Sequence, residues 1–128
     1  MAVINNSLGI DIQLTDDGDL FVDGSGELVW VTSAACLQQS LPLRLLCQYG
    51  QYVFNIDYGS DLPSLAGPAL TPAQKQLIQA AVTSSLLADY RVQSVVQVTV
   101  TADSKHTYIN AVIVDIANNT LTLGSVSI

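Results

Sequence analysis

Charge is scarce in this chain. Charged residues make up 12% of its 128 positions, about half the roughly 25% usual in soluble domains. Only four side chains are basic, Arg44, Lys75, Arg91 and Lys105, against eleven acids, for a net charge of −7. No basic stripe exists to neutralise phosphates, which argues against nucleic acid as a partner. The same balance argues against an anionic membrane surface. No apolar run approaches the roughly 18 residues needed to span a bilayer. Met1 to Asn6 lacks the basic start and long apolar stretch of a secretion signal. The expectation is a soluble protein, made and used without export.

Chemistry-bearing residues are equally few. His106 is the lone histidine and Glu27 the lone glutamate. One His and two Cys without close ligand spacing argue against a zinc site. No nucleophile-elbow pattern accompanies His106, which reads as a surface residue. Cys36 and Cys47 on one straight helix would stand roughly 16 Å apart along its axis. A disulfide needs Cα atoms within about 7 Å, so both read as small buried apolar residues. Asp16, Asp17, Asp19 and Asp23 invite a calcium reading, yet a frame with Gly24 at the sixth loop position puts Phe21 third and Trp30 twelfth. Turn chemistry explains these aspartates better. A glycosidase needs an acid in a pKa-raising pocket beside an ionised partner, and Glu27 adjoins a Gly-rich turn. No metal, cofactor or catalytic residue is therefore expected.

What is present is apolar residue content, 49% of the chain, enough at this length for one domain, 1–128, with a real core. Ile10, Ile12 and Leu14 alternate with polar residues as a strand. Asp16-Asp17-Gly18 turns it into a second strand over Asp19 to Asp23, with Leu20 and Val22 on one face. Leu28 to Val31 reads as a third short strand. Six of the eleven acids precede the first basic residue, so this third of the chain is an acidic patch, ordinarily a solvated face.

Thr32 or Ser33 can cap a helix to about Gln48, with Leu37, Leu41 and Leu45 as a buried stripe. Pro42 either kinks that helix or splits it. Arg44 among the leucines snorkels or pairs with Asp57 or Asp61. Tyr52 to Ile56 reads as a short strand-like piece between Gly50 and Gly59, whose backbones are freer than other residues. Pro63 fits a turn or the first turn of a short helix. Thr71-Pro72-Ala73-Gln74 is a helix start with a capping box. Leu77, Ile78, Ala81, Val82 and Leu86 form its apolar face, with Gln74, Lys75, Gln79 and Thr83 outward. Arg91 follows the helix end, where it caps the terminus or pairs with Asp89.

Val96, Val98, Val100 and Ala102 alternate with Gln97, Thr99 and Thr101 as a strand. Asp103-Ser104-Lys105 turns it. Tyr108 to Ile116 is apolar on both faces and reads as a central strand. Asn118-Asn119 makes a hairpin turn. Leu121 and Leu123 then share one parity, Val126 and Ile128 the other, and Gly124-Ser125 marks a bulge or the end of pairing. Hairpins flanking two helices define an α+β class, a small antiparallel sheet with two main helices on one face. The segment 120–128 has no Lys or Pro to protect an edge against a foreign strand. Leu121, Leu123, Val126 and Ile128 are thus candidate partner-binding residues, with main-chain pairing as the mechanism. By this reading, deletion of 120–128 leaves a soluble chain that cannot assemble.

The order of these features carries a resemblance. It comprises a hairpin with Asp16-Asp17-Gly18-Asp19-Leu20, a Leu-rich helix, Gly50-x-Tyr52 with Asp57-Tyr58-Gly59-Ser60-x-Leu62, a second helix, and Leu87-x-Asp89-x-Arg91-Val92 entering a strand. From about Gly9 to Ala102 this resembles the W-like baseplate wedge proteins, or sheath initiators, of contractile phage tails. Gln51 stands where many relatives carry Glu, so no ionic contact is carried over there, and Pro42 also departs from the pattern. The resemblance implies a structural component of the tail baseplate in the virion, assembled in the host cytoplasm. Its implied partners are baseplate wedge proteins, the base of the tail tube and the tail sheath protein, with six copies per assembly. It also marks Gly50, Asp57, Tyr58, Gly59, Asp89 and Arg91 as a structural motif, with Arg91 helping to fix the Asp57-Tyr58-Gly59 loop. Some relatives are labelled lysozymes, which leaves a peptidoglycan-degrading tail protein as the alternative. A small acidic binding module unrelated to tails is a third reading.

Overall fold

A computed structural model describes residues 8–65, 70–103 and 105–128. The readings made on Met1 to Asn6 and on Ser104 lie outside these residues. The chain forms β1 (Ile10–Ile12), β2 (Trp30–Thr32), α1 (Ser33–Leu46), α2 (Leu62–Leu65), α3 (Pro72–Leu87), β3 (Val92–Ala102), β4 (Thr107–Asp115) and β5 (Thr120–Ser127). The class is α+β: β1 and β2 pair in a two-stranded sheet, and β3-β4-β5 form an antiparallel sheet with β4 in the centre.

The core lies between the larger sheet and the helices. Leu37, Leu41 and Leu45 come from α1, and Ile78, Val82 and Leu86 from α3. They meet Val100, Ile109, Ala111, Ile113, Leu121, Leu123 and Val126. Each fully buried Leu, Ile or Val contributes about 1.5–3 kcal/mol. The expected central strand is β4, whose inward residues are buried while Tyr108, Val112 and Val114 on the other face are half-buried. Neighbouring strands shield that second face only partly, and among the described residues no core side chain from a helix lies on it.

Several local expectations are corrected. The second strand over Asp19 to Asp23 reduces to single bridges, Leu14 to Leu20 and Val22 to Leu28, on an arm whose Leu20 and Val22 are exposed. Leu20 and Val22 face solvent, so burial adds nothing that would extend the pairing. The third strand begins at Trp30, not Leu28. Tyr52 to Ile56 is no strand. Backbone bonds from Asn55 to Tyr52 and from Tyr58 to Asn55 fold it into successive turns, because no strand among the described residues lies alongside to offer partners.

Pro42 does not split α1, which runs unbroken through it. Thr32 holds the N-cap position without a side-chain cap bond. At α3, Thr71 Oγ1 accepts from the Gln74 amide as expected, but the Gln74 side chain does not complete the box. Its Nε2 donates to the Leu65 carbonyl instead. Leu77 is exposed, because the buried stripe is the narrower set Ile78, Val82, Ser85 and Leu86. Gln79, expected to face outward, donates to the Val98 carbonyl.

Three bulges decide which valines face the core. In β3 the register shifts between Val92 and Ser94 and between Val95 and Gln97. The core side therefore takes Val92, Val95, Val98 and Val100, and Val96 turns out to solvent. In β5 the register shifts at Gly124-Ser125, opposite the step from Ile109 to Ala111. That slip returns Val126 to the same face as Leu121 and Leu123, and all three are buried. Asn118 takes positive φ (64°) in the turn before β5, as its side chain tolerates. Among the described residues, no helix is long and apolar enough to cross a membrane.

Candidate functional site: an open strand edge and the loop network behind it

Two features stand out, one at an edge of the sheet and one behind it. The edge is β5, which pairs only with β4 among the described residues. Thr107 and Ile128 exchange both backbone bonds, and the Asp115 amide donates to Asn119. Strict antiparallel alternation then turns residues 121, 123, 126 and 128 toward β4 and the amides and carbonyls of Thr120, Thr122 and Ser127 outward. On that outer side the Thr122 carbonyl receives a long bond, 3.4 Å, from Gln38 Nε2. The opposite edge, β3, carries two bulges, a common protection against foreign strands. β5 has one, followed by a straight run to its end.

Leu121, Leu123 and Val126 belong to the core, and Ile128 packs against it. Their side chains hold the edge in place rather than reach past it. The expected soluble deletion of 120–128 is therefore corrected. Removing the three buried residues forfeits about 5–8 kcal/mol, comparable with the whole stability of a small domain.

The second feature joins the motif residues. Asp89, buried at the end of α3, accepts Arg91 Nη2 at 2.8 Å and Nε at 2.9 Å, a bidentate pair. Arg91 Nη1 donates to the Leu8 carbonyl at 3.0 Å. Arg44 Nη2 approaches the same carboxylate at 3.9 Å, and its guanidinium lies 4.6 Å from the centre of the Tyr58 ring. Arg44 thus pairs with neither Asp57 nor Asp61. The tertiary approach of α3 supplies a buried anion, which attracts it more strongly than exposed loop carboxylates. Burial alone would raise the Asp89 pKa, but hydrogen bonds from Arg91 and the charges of Arg91 and Arg44 outweigh it and hold the carboxyl below its usual value. Burial raises the Tyr58 pKa, against the opposing charge of Arg44.

The loop is tied down by backbone. Gly59 has φ +120°, and a Cβ there would strike the Cys47 carbonyl. The Ser60 amide donates to that carbonyl at 2.8 Å. Two buried serines, not foreseen from sequence, finish the joint. Ser60 Oγ donates to the Leu45 carbonyl and Ser85 Oγ to the Gly59 carbonyl. Their available signal was weak: a polar residue inside the apolar stripe of α3, and a serine after the glycine. Gly50 has φ +88° with open space around it, and Asp57 is exposed. The hydrogen bonds of Arg91 go to Asp89 and to the Leu8 carbonyl, and none of those given for the described residues goes to the loop. Arg91 reaches the loop through Asp89, Arg44 and Tyr58. From this network Tyr52 meets Tyr58 edge to face with ring centres 5.6 Å apart, and Phe54 meets Tyr52 likewise at 5.7 Å.

The Asp23 carboxylate accepts the Ser25 hydroxyl and the Ser25 and Glu27 amides, closing its turn. Those hydrogen bonds lower its pKa. Glu27 and His106 are exposed, and both cysteines are free. Among the described residues, no cluster of His, Cys, Asp and Glu could hold a metal.

The site is thus an α+β scaffold in which a buried ion-pair network backs a backbone-anchored loop and β5 pairs on one side only among the described residues, features of a structural module rather than of a reaction centre. The sequence model of the contractile injection system sheath initiators matches residues 10–118. The chain belongs to the contractile injection system sheath initiator family. It is a structural component of a contractile tail and acts in sheath initiation at the baseplate. The fold is similar to that of a Geobacter sulfurreducens protein provisionally described as a tail lysozyme. That match has a TM-score of 0.66 at 18% identity and covers 77% of this chain and 93% of the other. A comparison with curated proteins returned no match.

Proposed function

We propose that this initiator starts the sheath by pairing the outer edge of β5 with an extended segment of the sheath protein. The open edge of β5 carries the reading. Outward amides and carbonyls along the unpaired edge of a strand bind extended chain through main-chain hydrogen bonds. Buried Leu121, Leu123 and Val126 hold that edge rigid, so little ordering cost remains on binding. The other partners are baseplate wedge proteins and the base of the tail tube, in six copies around it, within the virion. Assembly takes place in the host cytoplasm, and neither nucleic acid nor membrane takes part.

Ser127→Pro tests the mechanism. It removes an outward amide while leaving the inward bonds of Val126 and Ile128, a position an edge strand tolerates. The expected outcome is a folded protein with a melting temperature within a few degrees of the parent. Particles carrying it should lose most of their assembled sheaths in electron micrographs. Normal sheaths on such particles refute strand pairing at this edge.

The likeness to a protein described as a tail lysozyme favours a second reading, cell-wall hydrolysis. Against it, Glu27 is the sole glutamate and lies exposed on the arm, where water keeps a carboxyl from the raised pKa a general acid needs. The chain is proposed to have no catalytic activity and to need no cofactor. Zymography on peptidoglycan should show no clearing. Clearing that disappears in Glu27→Gln establishes the hydrolase instead.

A further inference from the structure

Beside the last residues of β5 lies a groove of about 620 Å³. One wall is the outer face of α1, where Pro42, Leu43 and Leu46 line the space. Leu43 and Leu46 are 40% and 47% exposed, on the side of the helix opposite its buried leucines. The facing wall is the turn carrying Asp16 and Asp17, and Ser127 lies along the strand side. This turn is not a loose flap. Gln39 Nε2 donates to the Ile12 carbonyl at 3.0 Å, and Gln39 Oε1 accepts the Leu14 amide at 2.9 Å. Those two bonds fasten the arm to α1 and keep the groove open.

The groove therefore has three chemistries on three sides. Along the strand is unpaired backbone. Along the helix are aliphatic side chains. Along the turn are two exposed carboxylates. Among the described residues, the ion pairs are those of Asp89, and no basic side chain lines the groove.

We propose that the groove selects among extended segments, accepting one with alternate aliphatic side chains and a lysine or arginine at the end that reaches Asp16 and Asp17. This rests on the strand-pairing reading and adds the identity of the strand. A segment paired to β5 places every second side chain on one face. Those on the helix side cover Leu43 and Leu46. Gln38, bonded to the Thr122 carbonyl, sits where an incoming strand would continue toward the hairpin turn, so pairing centres on the Ser125 to Ser127 stretch. An acidic segment meets two carboxylates of like sign on a chain of net charge −7, whereas a basic one is drawn in.

The test uses the full chain and two synthetic ten-residue peptides of alternating valine and threonine, one ending in two lysines and the other in two glutamates. Binding is read by fluorescence anisotropy in low and high salt. The lysine peptide should bind at least fivefold more tightly than the glutamate peptide, with a preference that shrinks at high salt. Asp16→Asn with Asp17→Asn should abolish the preference. Leu43→Asn with Leu46→Asn should weaken both peptides severalfold, and Ser127→Pro should remove binding of both. Equal affinity of the two peptides, each lost in Ser127→Pro, overturns the charge selection and leaves strand pairing intact. Binding indifferent to Ser127→Pro overturns strand pairing itself, and absence of binding by either peptide overturns both. Indifference to the Leu43 and Leu46 changes overturns the aliphatic requirement.

Discussion

Asp89→Ala should destabilise the protein by about 3–5 kcal/mol, the usual cost of removing one partner from a buried ion pair. Near this chain length that corresponds to a fall in melting temperature of roughly 10–20 °C. Asp89 is 4% exposed and is the only anion that either guanidinium pairs with among the described residues. Its loss leaves Arg44 and Arg91 facing each other with 15% of each side chain exposed. It also frees the Leu8 carbonyl contact and the Tyr58 stack that Arg91 and Arg44 maintain.

The pH dependence has a definite sign. The folded-state pKa of Asp89 lies below its ordinary value of 3.8. Its contribution is therefore complete well above pH 4 and is lost as pH falls through the folded-state value. The parent should lose stability on acidification below about pH 4, and Asp89→Ala should lose less of it over that range. Thermal melts of both proteins at several pH values measure this. A melting temperature within 2 °C of the parent at neutral pH shows that the network is not holding the fold.

Gly59→Ala should cost more than about 3 kcal/mol. Two penalties coincide there. The residue sits at φ +120°, where a side chain is strained by about 1–3 kcal/mol. The new methyl would also collide with the Cys47 carbonyl, which is backbone and already engaged with the Ser60 amide. Relief requires opening the joint between the end of α1 and the loop, which also breaks the Ser85 bond to the Gly59 carbonyl. Gly50→Ala is the control. Its φ of +88° is unfavourable, but no atom lies within 4 Å of the added carbon, so about 1–2 kcal/mol is expected. Urea midpoints for the two variants give the comparison. Equal costs, or a tolerated Gly59→Ala, remove the steric account of this glycine.

Both predictions concern the support of the loop, while the sheath reading concerns the edge of β5. The same core links them. Leu41 and Leu45 share the core with Leu121, Leu123 and Val126, and Leu45 also offers its carbonyl to Ser60. A loosened loop should therefore weaken the strand edge indirectly. Its mark is a lowered melting temperature together with lost assembly, whereas Ser127→Pro should lose assembly alone.

Much of the architecture was legible before any coordinates. Alternation marked β3 and β5, apolar residues on both faces marked β4 as the central strand, and Thr71-Pro72 marked the start of α3. The parity slip at Gly124-Ser125 and the turn at Asn118 were also readable, and both are present. Such features depend on residues close in the chain, so local sequence carries them. The order of motifs also pointed to the sheath initiators, the family to which the chain belongs.

Other features were not legible, each for a physical reason. Tyr52 to Ile56 has strand-forming residues, but strand formation needs a partner edge and none is supplied. Val96 fits the alternation of its neighbours, yet a bulge paired to β4 turns it outward. Arg44 has acids nearby in sequence, but its partner lies 45 residues on, brought close only when α1 and α3 pack. Ser60 and Ser85 look like ordinary polar residues until packing sets carbonyls above them.

By itself the sequence determined the two main helices, the three strands of the larger sheet and the central place of β4, because periodicity acts over a few residues. Tertiary structure alone decided the ion pair around Asp89, the joint at Gly59, the burial of Leu121, Leu123 and Val126, and the groove between α1 and the arm. Those depend on surfaces far apart in the chain meeting at ångström precision, and no local pattern encodes such distances.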